Sequence, residues 1–185
     1  MPGQRLSLQR HADSAGEAAS RVEATARRPQ HGRLALRYVI HALADDLRLP
    51  PIADSSRVDG LWRHTCLEAF IRTPTGDGYF EINLSPSTRW AAYRFDGYRE
   101  GMANLEMSAP LIESRAWPDR YELEALIDLG GLPDLARSDW RLGLSAVIED
   151  ADGDKAWWAL AHPPGQPDFH HAAAFAFDLP AMERP

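Results

Sequence analysis

The chain has a single cysteine, Cys66, in 185 residues. One thiol excludes an internal disulfide framework and any structural zinc site built on several thiolates. No window reaches the ~20 consecutive apolar residues that a bilayer-spanning helix needs, the most apolar tail, Ala172 to Leu179, stopping at Pro180. Clusters of Lys and Arg interleaved with aromatics are missing too, and the net charge of -7 has the wrong sign for a phosphate backbone. Nucleic acid and membrane are therefore not expected partners. The first residues, Met1 to Gly16, carry charges at Arg5, Arg10 and Asp13 and no apolar core, so a secretory signal is not expected and a cytoplasmic location is.

The usual catalytic signatures are absent as well. There is no GxSxG elbow, Gly143-Leu144-Ser145-Ala146 lacking the second glycine, and no GxxxxGK[ST] or GxGxxG loop. The acidic turn Asp150-Ala151-Asp152-Gly153-Asp154 has the density of a calcium loop, but its twelfth position would be Ala161 rather than Glu, which favours a hairpin turn. Cys66 lies two residues from His64, without an evident orienting group, and reads as a buried structural thiol.

What is present is an ordinary globular composition, 44% hydrophobic and 25% charged, in a length that fits one domain. Its dominant pattern is alternation with a period of two. Leu34, Leu36, Tyr38 and Ile40 share one face, with Arg37 and His41 on the other. Leu67–Arg72 and Tyr79–Ser85 flank Pro74-Thr75-Gly76-Asp77-Gly78, a hairpin cue. Trp90–Phe95, Tyr121–Asp128, Arg141–Glu149, Lys155–His162 and Phe175–Phe177 continue the series, and Asp152-Gly153 marks another hairpin. Ser20–Arg28 is rich in helix formers yet alternates Val22, Ala24 and Ala26; strand is the expectation adopted. With Arg5–Arg10, about ten short strands predict an all-β antiparallel sandwich of jelly-roll type, with a core over about 34–179.

Three groups of residues carry candidate chemistry. Glu68, Glu81 and Asn83 interrupt apolar strands, where an unpaired carboxylate is costly to bury; they either pair with Arg72, Arg94 or Arg99 or face a ligand. Two such carboxylates could also act as acid and base of a glycosidase. Trp62, Tyr79, Trp90, Tyr93, Phe95, Tyr98, Trp157 and Trp158 concentrate in a few strands and their ends, and flat rings stack on the C–H faces of sugars. Because Trp157 and Trp158 are adjacent in a strand, they point to opposite faces and one belongs to the core. Finally, His162, Asp168 and His170 fall in one Pro/Gly-rich segment and could hold a zinc or iron ion, while a His with Met102 or Met107 could ligate haem.

Leu61-Trp62-Arg63-His64-Thr65-Cys66-Leu67-Glu68-Ala69-Phe70 followed by Tyr79-Phe80-Glu81-Ile82-Asn83-Leu84-Ser85-Pro86-Ser87 resembles the DOMON-like group related to family 9 carbohydrate-binding modules. The likeness continues through Trp90–Phe95, Tyr98–Met102 and Trp157–His170, with least support before Arg33. It implies a jelly-roll-like sandwich and a ligand drawn from sugars or haem. The chain departs from secreted sugar-binding relatives, which usually accompany an export signal and a catalytic domain that are not expected here; haem-binding relatives place Met and His at particular strand positions, to which Met102, Met107, His162 and His170 are not assigned. The resulting expectation is a non-catalytic ligand-binding domain holding a carbohydrate or sugar-containing metabolite, with haem or metal binding and glycoside hydrolysis as alternatives. The expected contacts are Trp62, Glu68, Glu81, Asn83, Trp90, Tyr93 and Trp158, with His162 and His170 at the mouth.

Overall fold

In the computed structural model, which describes residues 3–182, the chain forms twelve antiparallel strands arranged as two packed layers. The first layer runs in the order β1 (Arg5–Arg10), β2 (Arg21–Arg27), β3 (Arg33–His41), β9 (Arg120–Asp128) and β8 (Leu111–Trp117). The second runs β7 (Ala103–Asn104), β6 (Trp90–Phe95), β5 (Tyr79–Leu84), β4 (Cys66–Arg72), β10 (Trp140–Glu149) and β11 (Lys155–Ala159). Strand β1 joins the layers: Leu6 and Leu8 pair with β2, whereas Gln9 and Arg10 pair with β11. The short β12 (Phe177–Leu179) shares one side of β10 with β11, taking its first half.

Between the layers lies one apolar core, and strand alternation explains its membership. Val22, Ala24 and Ala26 of β2 meet Leu34, Leu36, Tyr38 and Ile40 of β3, against Leu67, Ala69 and Ile71 of β4 and Leu144, Ala146 and Ile148 of β10. Burial of this kind contributes roughly 25 cal/mol per Å² of apolar surface and is the main favourable term holding the layers together. Tyr38 reaches across the core to donate its hydroxyl to the Glu68 carbonyl at 2.7 Å, which satisfies the one polar atom it brings inside.

The two-layer sandwich agrees with the alternation in the sequence, and both expected hairpins form. The Pro74–Gly78 segment joins β4 to β5, and Gly153, at φ 93°, turns β10 into β11. Ser20–Arg28 is strand as expected, β2 being paired on both sides so that tertiary pairing overrides helix propensity. Three local differences have physical reasons. β1 and β2 belong to the sheet, so the structural core starts well before residue 34. β8 is absent from the expected set because it is an edge strand whose outward residues Leu111, Glu113 and Arg115 blur the alternation. Near the end, Ala172–Ala174 forms a single helical turn and pairing begins at Phe177 rather than Phe175. A five-residue helix, α1 (Pro133–Arg137), was also not expected.

Candidate functional site

Each strand of the second layer has a face turned away from the main core, and that face is unlike an ordinary solvent face. Along β4 it carries Glu68 and Phe70, along β5 Tyr79, Glu81 and Asn83, along β6 Tyr93 and Phe95, along β10 Ser145 and Val147, and along β11 Trp157. A second apolar cluster forms here, where Phe70, Tyr79, Tyr93, Phe95 and Val147 pack under Phe169 and Phe175 of the C-terminal tail. Gly143 permits that close cover: a Cβ at this position would sit 3.2 Å from the Ala174 carbonyl oxygen.

The register places a polar row across the middle of this face. Ser145, Glu68 and Asn83 lie opposite one another on β10, β4 and β5, and Glu81 is two residues before Asn83 on the same side. All four are buried; Glu68 is 3% and Glu81 5% exposed. The Asn83 amide donates to Glu81 Oε1 at 2.8 Å, and the Ser145 hydroxyl reaches Glu68 Oε2 at 3.5 Å. Glu68 Oε1 and Asn83 Oδ1 are buried without a hydrogen-bond partner. Leaving such an acceptor unsatisfied costs about 1–3 kcal/mol, so this row needs a further partner. Burial, with Glu81's negative charge, drives the Glu68 carboxyl well above the usual carboxylate range, Ser145 opposing in part. Burial likewise lifts Glu81 to about 7, against the Asn83 hydrogen bond and the positive charge of Arg99.

Over the carboxylates opens a cavity of about 360 Å³, within the range of small-molecule sites. Trp62, Trp157, Phe95 and Phe169 give it aromatic walls, Arg99 and His170 a polar rim, and Met102 contributes a thioether. Trp62 sits on a single helical turn, Leu61–Arg63, introduced by Gly60 at φ 78°. That turn is anchored from below: Tyr93 donates to Asp59 Oδ1 at 2.6 Å and meets the Trp62 ring edge-on, with centroids 6.3 Å apart.

The rim is a linked set. Arg99, in the left-handed region at φ 56°, donates its N–H to the Tyr79 hydroxyl at 3.1 Å and its guanidinium to Asp168 Oδ1 at 2.8 Å. Tyr98 also donates to Asp168, whose Oδ1 accepts the His170 backbone N–H at 3.1 Å. Burial works to raise the Asp168 pKa, but these hydrogen bonds and the Arg99 charge hold it below the usual range. Tyr79 stacks on Phe95 at 4.6 Å and its hydroxyl lies 2.8 Å from His170 Nδ1. We assign the Tyr79 proton to this bond, which puts the imidazole proton on Nε2, the nitrogen 3.8 Å from Glu81. Burial and the Arg99 charge push His170 down to about 4 against the pull of Asp168, so the ring is neutral at pH 7.

The structure thus brings Trp62, Glu68, Glu81 and His170 to one cavity, with Asn83 and Tyr93 directly supporting it. Three expected contacts lie elsewhere. Trp90 and Trp158 project from the opposite faces of β6 and β11 into the inter-layer core, each 5% exposed; the neighbouring Trp157 occupies the cavity instead. His162 faces the end of β1, with Nε2 2.8 Å from the Gln9 carbonyl and its ring edge-on to His11. It does not meet Asp168 and His170, and among the described residues no three His, Cys, Asp or Glu side chains are placed to hold a metal ion. Met102 shares the cavity with His170, whereas Met107 packs on the main core. Of the three arginines weighed against the carboxylates, Arg72 approaches Asp77, Arg94 pairs with Asp96, and only Arg99 reaches the cavity. Cys66 is fully buried, burial raising its thiol pKa, and His64 is engaged by Glu149 at 2.7 Å.

No protein-family profile matches this chain. No curated protein matches it by sequence either. Solved structures do match in shape. A candidate carbohydrate-binding protein from Bacteroides uniformis ATCC 8492 aligns with a TM-score of 0.70 over 97% of this chain and 87% of its own, at 14% identity. A family 9 carbohydrate-binding module from Caldicellulosiruptor kristjanssonii, solved with cellotriose, aligns with a TM-score of 0.54 over 99% of this chain and 84% of its own, at 10% identity. The chain therefore has a β-sandwich fold like that of family 9 carbohydrate-binding modules.

Proposed function

We propose that the domain binds a saccharide in the cavity over Glu68 and Glu81, without transforming it. The observation that carries this reading is the combination of stacking surfaces with buried, under-partnered acceptors in one cavity: Trp62 and Trp157 offer ring faces, while Glu68 Oε1 lacks a donor. Sugar hydroxyls are donors, and a sugar ring presents an apolar face of C–H groups, so a saccharide satisfies both. A module of similar fold holds cellotriose, which supports the ligand class. Titration of the purified protein with neutral mono- and oligosaccharides by calorimetry tests the proposal. Saturable binding at one site supports it, and no heat from any neutral or amino sugar removes it.

General-acid cleavage of a glycosidic bond is the second reading, favoured by one observation: a carboxyl lifted to about 7 beside a second carboxyl in the same cavity. It requires turnover of aryl glycosides that disappears in Glu81→Gln. Binding without turnover leaves the cavity as a binding site alone.

A further inference from the structure

We infer that the saccharide carries a primary amine, and that its ammonium group sits between Glu68 and Glu81. This inference rests on the saccharide reading and specifies its ligand. Two carboxylates line one small cavity, yet among the described residues no Lys or Arg comes within ion-pair distance of either. The cation that does line the cavity, Arg99, is already engaged by Asp168 at 2.8 Å, and His170, 3.8 Å from Glu81, is neutral. The lining therefore has an excess of acidic groups that the protein does not balance itself.

The acceptors match an ammonium group in kind. An R–NH3+ group has three N–H donors and no acceptor. Glu68 Oε1 is buried without a partner, and Glu81 Oε2 has only the long approach of His170 Nε2, while the Asn83 amide, behind the cavity wall, holds Glu81 Oε1 at 2.8 Å. Glu68 and Glu81 are diagonal neighbours on paired strands, a relationship that puts Cβ atoms ~7–8 Å apart or somewhat less, leaving room for one nitrogen between the carboxylates. The aromatic walls add to this, because the face of a Trp or Phe ring attracts a cation. A neutral hydroxyl brings one donor and leaves the proton on the carboxyl pair. Burial and mutual repulsion keep a proton on the carboxyl pair in the free protein; an arriving ammonium ion replaces that proton, which passes to solvent.

The test is calorimetric titration with glucosamine, glucose and N-acetylglucosamine, and with ethanolamine as an amine that is not a sugar. Wild type and the Glu68→Gln/Glu81→Gln double variant are compared, with thermal unfolding of both as the check on folding. The inference expects glucosamine to bind about 10- to 100-fold more tightly than glucose or N-acetylglucosamine, the range of a charge-assisted hydrogen bond. That advantage should vanish in the folded double variant. Equal affinity for glucose and glucosamine overturns the amine while keeping the saccharide reading. Binding of ethanolamine but no sugar keeps the amine subsite and removes the saccharide, and binding of none removes both. A folded double variant that retains the glucosamine preference also overturns the assignment to these two carboxylates.

Discussion

Trp157 and Trp158 are neighbours in sequence and lie on opposite sides of β11: the first walls the cavity over Glu68 and Glu81, the second fills the core between the layers. Their registers fix this, Trp157 lying opposite Val147 of the cavity face and Trp158 opposite Ala146 of the core. Alanine substitutions should therefore separate cleanly. Trp158→Ala leaves a core void and is expected to lower the unfolding free energy by about 3–5 kcal/mol. Trp157→Ala removes a half-buried ring and should keep most of the stability while weakening ligand binding roughly 10-fold or more. Urea unfolding and ligand titration of both variants check this; similar stability losses in both would assign the Trp157 ring to the core.

Glu81 should make stability fall as pH rises. Its folded pKa of about 7 lies above the ordinary 4.5, so between these values the folded state holds more protons than the unfolded state. The stabilising contribution is complete below about 4.5 and is lost as pH rises through 7. His170, lowered to about 4, acts in the opposite sense, contributing above 6.5 and losing its contribution as pH falls towards 4. Comparing Glu81→Gln with wild type largely removes the His170 contribution. The variant's relative stability is expected to increase from pH 5 to pH 8 by up to about 3 kcal/mol, at 1.36 kcal/mol per pKa unit. Denaturant unfolding across that range measures it, and a difference that stays flat with pH contradicts it.

Strand alternation made the sandwich legible, because a period of two survives wherever a strand has one core face. It also exposed Glu68, Glu81 and Asn83 as anomalies, since carboxylates in an apolar strand have few bland explanations. The same alternation cannot say which face of β11 or β6 is the core when both faces carry large aromatic rings. That is why Trp90 and Trp158 were expected at the ligand and Trp157 was the ring found there. The hairpin at Asp152-Gly153 sets that register, but only once the partner residues on β10 are known. Phe169 and Met102 reach the cavity from loops distant in sequence, and no periodicity reports where a loop lands.

Arg99 holds a backbone conformation that side chains disfavour, at φ 56°, while making two hydrogen bonds that tie Asp168 and Tyr79 to the rim. The two effects can be told apart. Arg99→Ala and Arg99→Gly both lose the guanidinium, but only glycine also relieves the left-handed strain. The glycine variant is expected to be about 1 kcal/mol more stable than the alanine variant, with both weaker in ligand binding than wild type. Thermal unfolding of the pair tests it, and equal or inverted stabilities would show that the neighbouring hydrogen bonds, not strain, set the conformation.

Hemin should give no saturable shift in the Soret band. Met102 and His170 share the cavity, so a Met/His pair is geometrically at hand. Electrostatics oppose its use: haem carries two propionates, and this cavity already holds Glu68 and Glu81 without a free cation to receive them. The His170 ring is also engaged, its Nδ1 by the Tyr79 hydroxyl and its Nε2 facing Glu81 at 3.8 Å, and His162 Nε2 is turned to the Gln9 carbonyl. Titrating hemin into wild type and His170→Ala and reading the visible spectrum decides the matter. A one-equivalent shift that is lost in the variant would mean that the carboxyl pair takes up protons to admit haem, and the cavity would then be a haem site rather than a sugar site.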